Sequence, residues 1–163
     1  MKKLFYLLLA LYIILTSCKK DENNTPINSN SSFTCKVDGV QLHDAAPLGN
    51  IITTNPALNG ALKISGTSNL KDVTLMNTIY ITVYNFSTVT TNTSLTLGSP
   101  GAGSAVVWKG NDEFLTDISP YTGIITFSKI TANRISGTFN FNTHLGTAGI
   151  CTVTEGIFSN IAY

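Results

Sequence analysis

The stretch NTIYITVYNF, Asn77 to Phe86, constrains the fold of this chain more than any other. Ile79, Ile81 and Val83 fall on one side of an extended backbone, with Tyr80, Thr82 and Tyr84 on the other. Successive side chains of a strand point to opposite faces, so bulk on both sides predicts a central strand. The same period recurs. In FTCKVDGVQLH, Phe33, Cys35 and Val37 alternate with Thr34 and Lys36, Asp38-Gly39 supplies a two-residue turn, and Val40 and Leu42 alternate with Gln41 and His43, which predicts a hairpin. After a loop holding Pro47, Gly49 and Pro56, Ala61 to Ser65 reads as a strand ended by Gly66. Ser94 to Leu97, Ala105 to Lys109, Gly123 to Ile130, Ile135 to His144 and Gly149 to Ile161 follow as further strands. Apart from one possible helical turn near Asn69 to Met76, no helical period occurs after Leu15. Short strands punctuated by Gly, Asn and Ser predict one all-β domain over residues 33–163, an antiparallel β-sandwich-like fold with a small β-barrel as the alternative.

The front of the chain is of another kind. Lys2 and Lys3 precede an apolar run from Leu4 to Leu15, and small residues follow. A positive start, a short apolar centre and a small-residue junction are the three parts of a secretory signal, assigned here to residues 1–17. The run is shorter than the roughly 20 apolar residues that a membrane-spanning helix needs. Leu15-Thr16-Ser17-Cys18 resembles the lipobox of bacterial lipoproteins, which implies that the Cys18 sulfur carries diacylglycerol and that cleavage frees its amino group for a further acyl chain, palmitate being a typical acid. Two or more chains on one residue anchor firmly where one binds only marginally. An ordinary signal peptide with a coincidental cysteine is the competing reading.

Lys19, Lys20, Asp21 and Glu22 resemble the lysine-plus-acidic export signal of Bacteroidota lipoproteins, which implies the outer face of the outer membrane; a merely solvated tether would leave the periplasmic leaflet. Residues 18–32 hold one large apolar side chain, Ile27, and are rich in Asn and Ser. Such a composition buries too little surface to offset its ordering entropy and predicts a disordered tether.

From Phe33 onward six basic residues stand against seven acids. A nearly neutral domain without a basic stripe excludes nucleic acid as an expected partner. Its surface is made polar by Thr, Asn and Ser, which leaves few groups for acid-base chemistry.

The thiols Cys35 and Cys151 both fall on core-facing positions, so adjacent strands would allow a disulfide; two separate buried thiols are the alternative. His43 and His144 have no second metal-ligand type at useful spacing and read as solvated loop residues. In GNDEFLTD, Asp112, Glu113 and Asp117 suggest paired carboxylates or calcium ligands, but a charged turn accounts for them more simply. Gly101-Ala102-Gly103 lacks the following helix and the Gly-Lys-Ser/Thr of a phosphate loop. Tyr80, Tyr84, Trp108 and Tyr121 could form a sugar-stacking platform on an exposed sheet face or simply cover the sheet. No catalytic residue, metal or cofactor is expected.

The succession Gly123-Ile124-Ile125-Thr126-Phe127, Ile135-Ser136-Gly137-Thr138-Phe139-Asn140-Phe141 and Val153-Thr154-Glu155-Gly156-Ile157-Phe158, together with the opening Phe33 to Gly39, is similar to a family of small Bacteroidota outer-membrane lipoproteins of unknown function. That family commonly places a Trp after the Asp-Gly turn, where this chain has Gln41-Leu42-His43. The resemblance implies fold and location and assigns no activity. The leading expectation is a non-enzymatic surface lipoprotein, held to the membrane by its lipid and binding glycan or protein. A small barrel carrying an apolar ligand would need a cavity lined by Ile79, Ile81, Phe139 and Phe141. An envelope hydrolase would need Asp112, Glu113 or Asp117 to meet a histidine in one cleft.

Overall fold

A computed structural model describes residues 30–163 other than 45, 54–57, 59, 69–76, 99, 118 and 146–148. Cys18, Lys19, Lys20, Asp21 and Glu22 lie outside the described residues, as do the signal and most of the tether, and so does the helical turn expected near residues 69–76.

Eleven strands follow in order: β1 (Ser32–Val37), β2 (Val40–Asp44), β3 (Leu48–Ile52), β4 (Ala61–Thr67), β5 (Asn77–Val83), β6 (Ser94–Leu97), β7 (Gly103–Lys109), β8 (Asp112–Leu115), β9 (Gly123–Ile130), β10 (Arg134–His144) and β11 (Ile150–Ala162). They form one sheet in the spatial order β2-β1-β11-β10-β9-β6-β7-β5-β4-β3. β8 bridges β7 to β10 and so closes β6, β7, β8, β10 and β9 into a five-stranded ring. The two arms of the sheet beyond the ring fold over one another, with β2 against β4 and β3 against β11. The fold is therefore all-β and joins the two architectures expected, a small closed barrel whose arms pack as a sandwich. All pairings are antiparallel except the short parallel bridge Leu97 to Gly103 between β6 and β7.

The hairpin of β1 and β2 forms as its turn chemistry dictates. Asp38 and Gly39 both have positive φ, 49° and 81°, as a tight two-residue turn of that hand requires. β5 ends at Val83 because Asn85 enters the left-handed region and Phe86 starts a short 3-10 turn, Phe86–Thr88. Two strands lie where loops were expected. β3 spans the Gly49 segment, and Asp112 and Glu113 belong to β8, paired against Lys109 and Trp108 of β7.

The core is organised by phenylalanine rings seated over glycines. On β10 and β11, Gly137 lies opposite Phe158 and Phe139 lies opposite Gly156. A Cβ at Gly137 would stand 2.5 Å from the Phe158 ring and collide with the Thr126 carbonyl; one at Gly156 would stand 2.5 Å from the Phe139 ring. Gly66 of β4 receives the Phe33 ring from the facing layer, where a Cβ would come within 2.6 Å of Cγ. This is why β4 runs on past Gly66 instead of stopping there. Phe33 and Phe139 have centroids 4.8 Å apart, and Phe127 meets Phe158 edge-on at 5.6 Å. Ile79, Ile81, Phe139 and Phe141 join this packing, with Phe139 stacked on Phe141, and line neither the pocket beside Phe86 and Tyr163 nor the one beside Asp117.

β11 keeps its apolar side chains inward only by breaking its period twice. Its buried residues are Cys151, Val153, Gly156, Phe158 and Ile161, so the phase slips once before Gly156 and once before Ile161. Glu155 and Asn160, each with φ of 54°, absorb the two slips as bulges. Side chains hold both: Lys36 Nζ pairs with Glu155 Oε1 at 2.7 Å, and Arg134 Nη1 and Ser31 Oγ donate to the Asn160 carbonyl at 2.7 and 2.8 Å.

Two aspartates tie the layers at their ends. Asp44 accepts from the Thr67 N–H of β4 at 2.9 Å and from the Ala46 N–H at 2.8 Å, which fixes the corner between β2 and β3. Asp38 accepts from the Thr152 N–H of β11 at 2.8 Å through Oδ1 and from Lys109 Nζ of β7 at 2.7 Å through Oδ2. Partial burial pushes the Asp38 carboxyl up, but the Lys109 ammonium and the Thr152 N–H outweigh it and hold the group below its ordinary value.

Gly137→Ala is expected to cost roughly 2–3 kcal/mol through overpacking, read as a lower midpoint in urea denaturation; an unchanged midpoint would show that the ring over it is not under constraint. Asp38→Asn keeps the turn and the acceptor for Thr152 and removes only the charge. Because the native carboxyl titrates below an unfolded aspartate, its contribution is complete at neutral pH and is lost as pH falls through about 4 and below. With Asp38 more than a third exposed, the variant should lose no more than about 1 kcal/mol at pH ~7, and the difference should vanish in acid, measured by denaturation at a series of pH values.

Candidate functional site: an aromatic sheet face and the pocket at its end

The outward side chains of β4, β5, β7 and β8 line up in three rungs. Thr67, Thr78, Trp108 and Glu113 form the first, Ser65, Tyr80, Val106 and Leu115 the second, and Lys63, Thr82 and Ser104 the third. The opposite sides of these strands, with Leu62, Ile64, Ile79, Ile81, Val83, Ala105 and Val107, belong to the core. Trp108 and Tyr80 are diagonal neighbours, a relation that brings Cα atoms to about 7–8 Å. Tyr84 extends the row beyond Thr82, so the aromatics run about 20 Å along β5 at the rise of a strand. All three are half-buried, which leaves part of each aromatic side chain open to solvent. Between and beside them stand hydroxyls, with Thr67 Oγ1 and Thr78 Oγ1 3.3 Å apart, and the Lys63 ammonium lies 4.0 Å above the Tyr80 ring.

Tyr121 does not join this row. It stacks on the His144 imidazole with centroids 4.5 Å apart and planes 21° from parallel. His144 closes β10 opposite Leu115 of β8 and is largely covered, with 13% of its side chain exposed, so it is not the solvated loop histidine that its sequence suggests. Its Nε2 lies 3.5 Å from Asp117 Oδ1, too distant for a good hydrogen bond, and is buried without a hydrogen-bond partner among the described residues. His43 is exposed on the outermost strand, β2, opposite Thr34.

Of the three acids, then, only Asp117 meets a histidine. No nucleophile is hydrogen-bonded to His144 among the described residues, so the triad logic of nucleophile, base and orienter is incomplete there. Among those residues, too, no group of three His, Cys, Asp or Glu side chains is placed to hold a metal ion.

Asp117 opens on a pocket of about 390 Å³ at the end of the aromatic row, shared with Tyr84, Ser104, Pro100 and the backbone of Gly98, Gly101 and Gly103. The glycines are required by backbone crowding: a Cβ on Gly98, whose φ is +105°, would press on the Thr116 and Tyr121 carbonyls at 2.8 Å. The loop is fixed by Gly98 N–H to the Gly103 carbonyl at 2.9 Å and Ala102 N–H to the Thr96 carbonyl at 2.9 Å. Tyr84 O–H donates to Ser104 Oγ at 3.2 Å, which leaves the serine proton free to point outward. The density of glycine in SPGAGS was the signal for this pocket, but it marked close backbone packing and not phosphate binding.

Cys35 and Cys151 do sit on adjacent strands, β1 and β11, and both are fully buried and free. Val37 pairs with Val153 between them, so the two thiols lie two positions to either side of that rung, about 13 Å apart along the strands. A disulfide needs Cα atoms within about 7 Å, so this spacing fits the alternative of two separate buried thiols. Burial, with the neighbouring Cys151, pushes Cys35 up to about 12; burial and the Asp38 carboxylate push Cys151 up to about 11. Both stay protonated and act as small apolar residues.

No curated protein and no solved structure matches the chain. A family model does, over residues 49–162, a span that takes in the ring, the aromatic face and the pocket and leaves out the first hairpin. The chain belongs to that family, the domain of unknown function DUF6252.

Proposed function

We propose that this protein is a non-enzymatic, lipid-anchored surface lipoprotein of an outer membrane that binds glycan across the face of β4, β5, β7 and β8. The observation that carries the binding reading is the row Trp108, Tyr80 and Tyr84 on one outward face, interleaved with Ser65, Thr82 and Ser104. Sugar rings present apolar faces and hydroxyl edges. The exposed parts of Trp108 and Tyr84 suit the first, with the Lys63 ammonium already over Tyr80, and short hydroxyl side chains take the second without the entropy cost of ordering long ones. The near-neutral domain adds no field that would favour a charged polymer. Anchorage rests on Cys18 at the end of the apolar run, and outward sorting on Lys19, Lys20, Asp21 and Glu22. A buried core in place of an internal apolar cavity disfavours the carrier reading, and an isolated Asp117 and His144 pair disfavours the hydrolase.

On a glycan array the wild-type chain should bind at least one neutral polysaccharide class, and Trp108→Ala or Tyr80→Ala should each weaken that binding about tenfold or more, as for a buried aromatic anchor. Binding to no glycan, or binding indifferent to both substitutions, would refute the face. For location, protease added to intact cells should remove the wild-type domain and spare a variant with Lys20, Asp21 and Glu22 all replaced by alanine. Equal protection of the two would sink the surface assignment.

A further inference from the structure

The pocket beyond Tyr84 is built differently from the face that leads to it. The face is broad and offers rings; the pocket is small, and its walls are backbone, two hydroxyls and one carboxylate. Its volume of about 390 Å³ is near the lower end of the ~300–1,000 Å³ typical of small-molecule sites, so it suits one ring and not a chain. Asp117 is the only charged residue among the described residues of its lining. An anion would meet that carboxylate with no compensating cation among those residues, which disfavours phosphate, sulfate and uronate groups. A neutral group rich in O–H donors meets the opposite situation.

We propose that this pocket receives the terminal sugar residue of a neutral glycan whose chain lies along Trp108, Tyr80 and Tyr84, so that the protein recognises a chain end as well as a chain. The inference rests on the glycan-binding reading of the face. Among the described residues the Asp117 carboxylate accepts no hydrogen bond, and its side chain is 55% exposed, so both oxygens are open to two adjacent sugar hydroxyls. Ser104 Oγ accepts from Tyr84 and keeps its own proton to donate. Beside the Asp117 carboxylate the His144 ring is held by the Tyr121 stack, and its buried Nε2 faces Oδ1 at 3.5 Å without a good hydrogen bond. Gly98, Gly101 and Gly103 line the pocket with backbone and are packed against neighbouring carbonyls, which fixes its wall. Tyr84 belongs to both the row and the pocket, which makes face and pocket one continuous site.

The test uses the full chain in detergent solution and titration calorimetry with four probes: xylohexaose, cellohexaose, maltohexaose and hexa-N-acetylchitohexaose. Wild type, Asp117→Asn, Ser104→Val and Trp108→Ala are compared, each checked for an unchanged near-ultraviolet circular dichroism spectrum. For whichever hexaose binds, Asp117→Asn is expected to raise Kd about tenfold. Modifying one end of that sugar, by methyl glycoside formation or borohydride reduction at the reducing end or by deoxygenation of the 4-hydroxyl at the non-reducing end, should weaken wild-type binding by a similar factor and leave Asp117→Asn unaffected. If Trp108→Ala loses binding while Asp117→Asn and the end-modified sugars behave as wild type, the pocket inference is overturned and the face survives. If Asp117→Asn loses binding and Trp108→Ala does not, the chain does not lie along the face, and both the face reading and the proposal built on it are overturned. A wild-type chain that binds none of the four overturns both.

Discussion

The interlock of phenylalanine rings with glycines is what the rest of the structure depends on. Gly137 under Phe158 and Gly156 under Phe139 draw β10 and β11 together with their rings lying across each other's backbone, and Gly66 under Phe33 draws the two layers together. Close-packed interiors tolerate neither a missing methylene nor an extra one, so each ring needs the empty position opposite. The interlock also sets the position of β1, whose Phe33 pairs with Phe158 on one side and reaches Gly66 on the other. With β1 placed, the Asp38 turn falls where its carboxylate meets both Lys109 of β7 and the Thr152 N–H of β11.

That constraint reaches the candidate site through β7 and β8. Val107 and Phe114 are anchored in the core from adjacent strands, which fixes the register that puts Trp108 opposite Thr78 and Val106 opposite Tyr80. Closing the ring requires β8 to reach β10, and the residues at that seam are Leu115 and His144. The pocket is a product of closure: Asp117 leaves the end of β8, the glycine loop joins β6 to β7, and His144 ends β10. A pocket at the mouth of a small barrel follows from where strands must stop.

Much of the fold was legible in the sequence because strict alternation records a buried face. The hairpin at Asp38-Gly39, the central position of β5, the strand β6 and the first five residues of β9 could be read in that way, since each keeps one period. β3 and β8 were illegible for opposite reasons: Gly49 reads as a breaker although it lies against the Ala162 carbonyl, and the acids of β8 face outward from a strand that buries only Phe114. Of the site, Tyr80, Tyr84 and Trp108 were visible as residues, but their meeting on one face needs the β5 to β7 register, which no local pattern carries. The same holds for the distance between Cys35 and Cys151 and for the covering of His144, both decided by partners far away in sequence.

The position of β1 has a mechanical consequence. It is hydrogen-bonded along both flanks, to β2 and to β11, and its first residue, Ser32, lies opposite Ser159 near the far end of β11. Tension on the chain ahead of Ser32 therefore runs along the strand axis and loads the bonds of two ladders together. A strand at a free rim would instead give them up one at a time, like a zip. A domain pulled through this strand along its axis would resist being taken apart where the force enters.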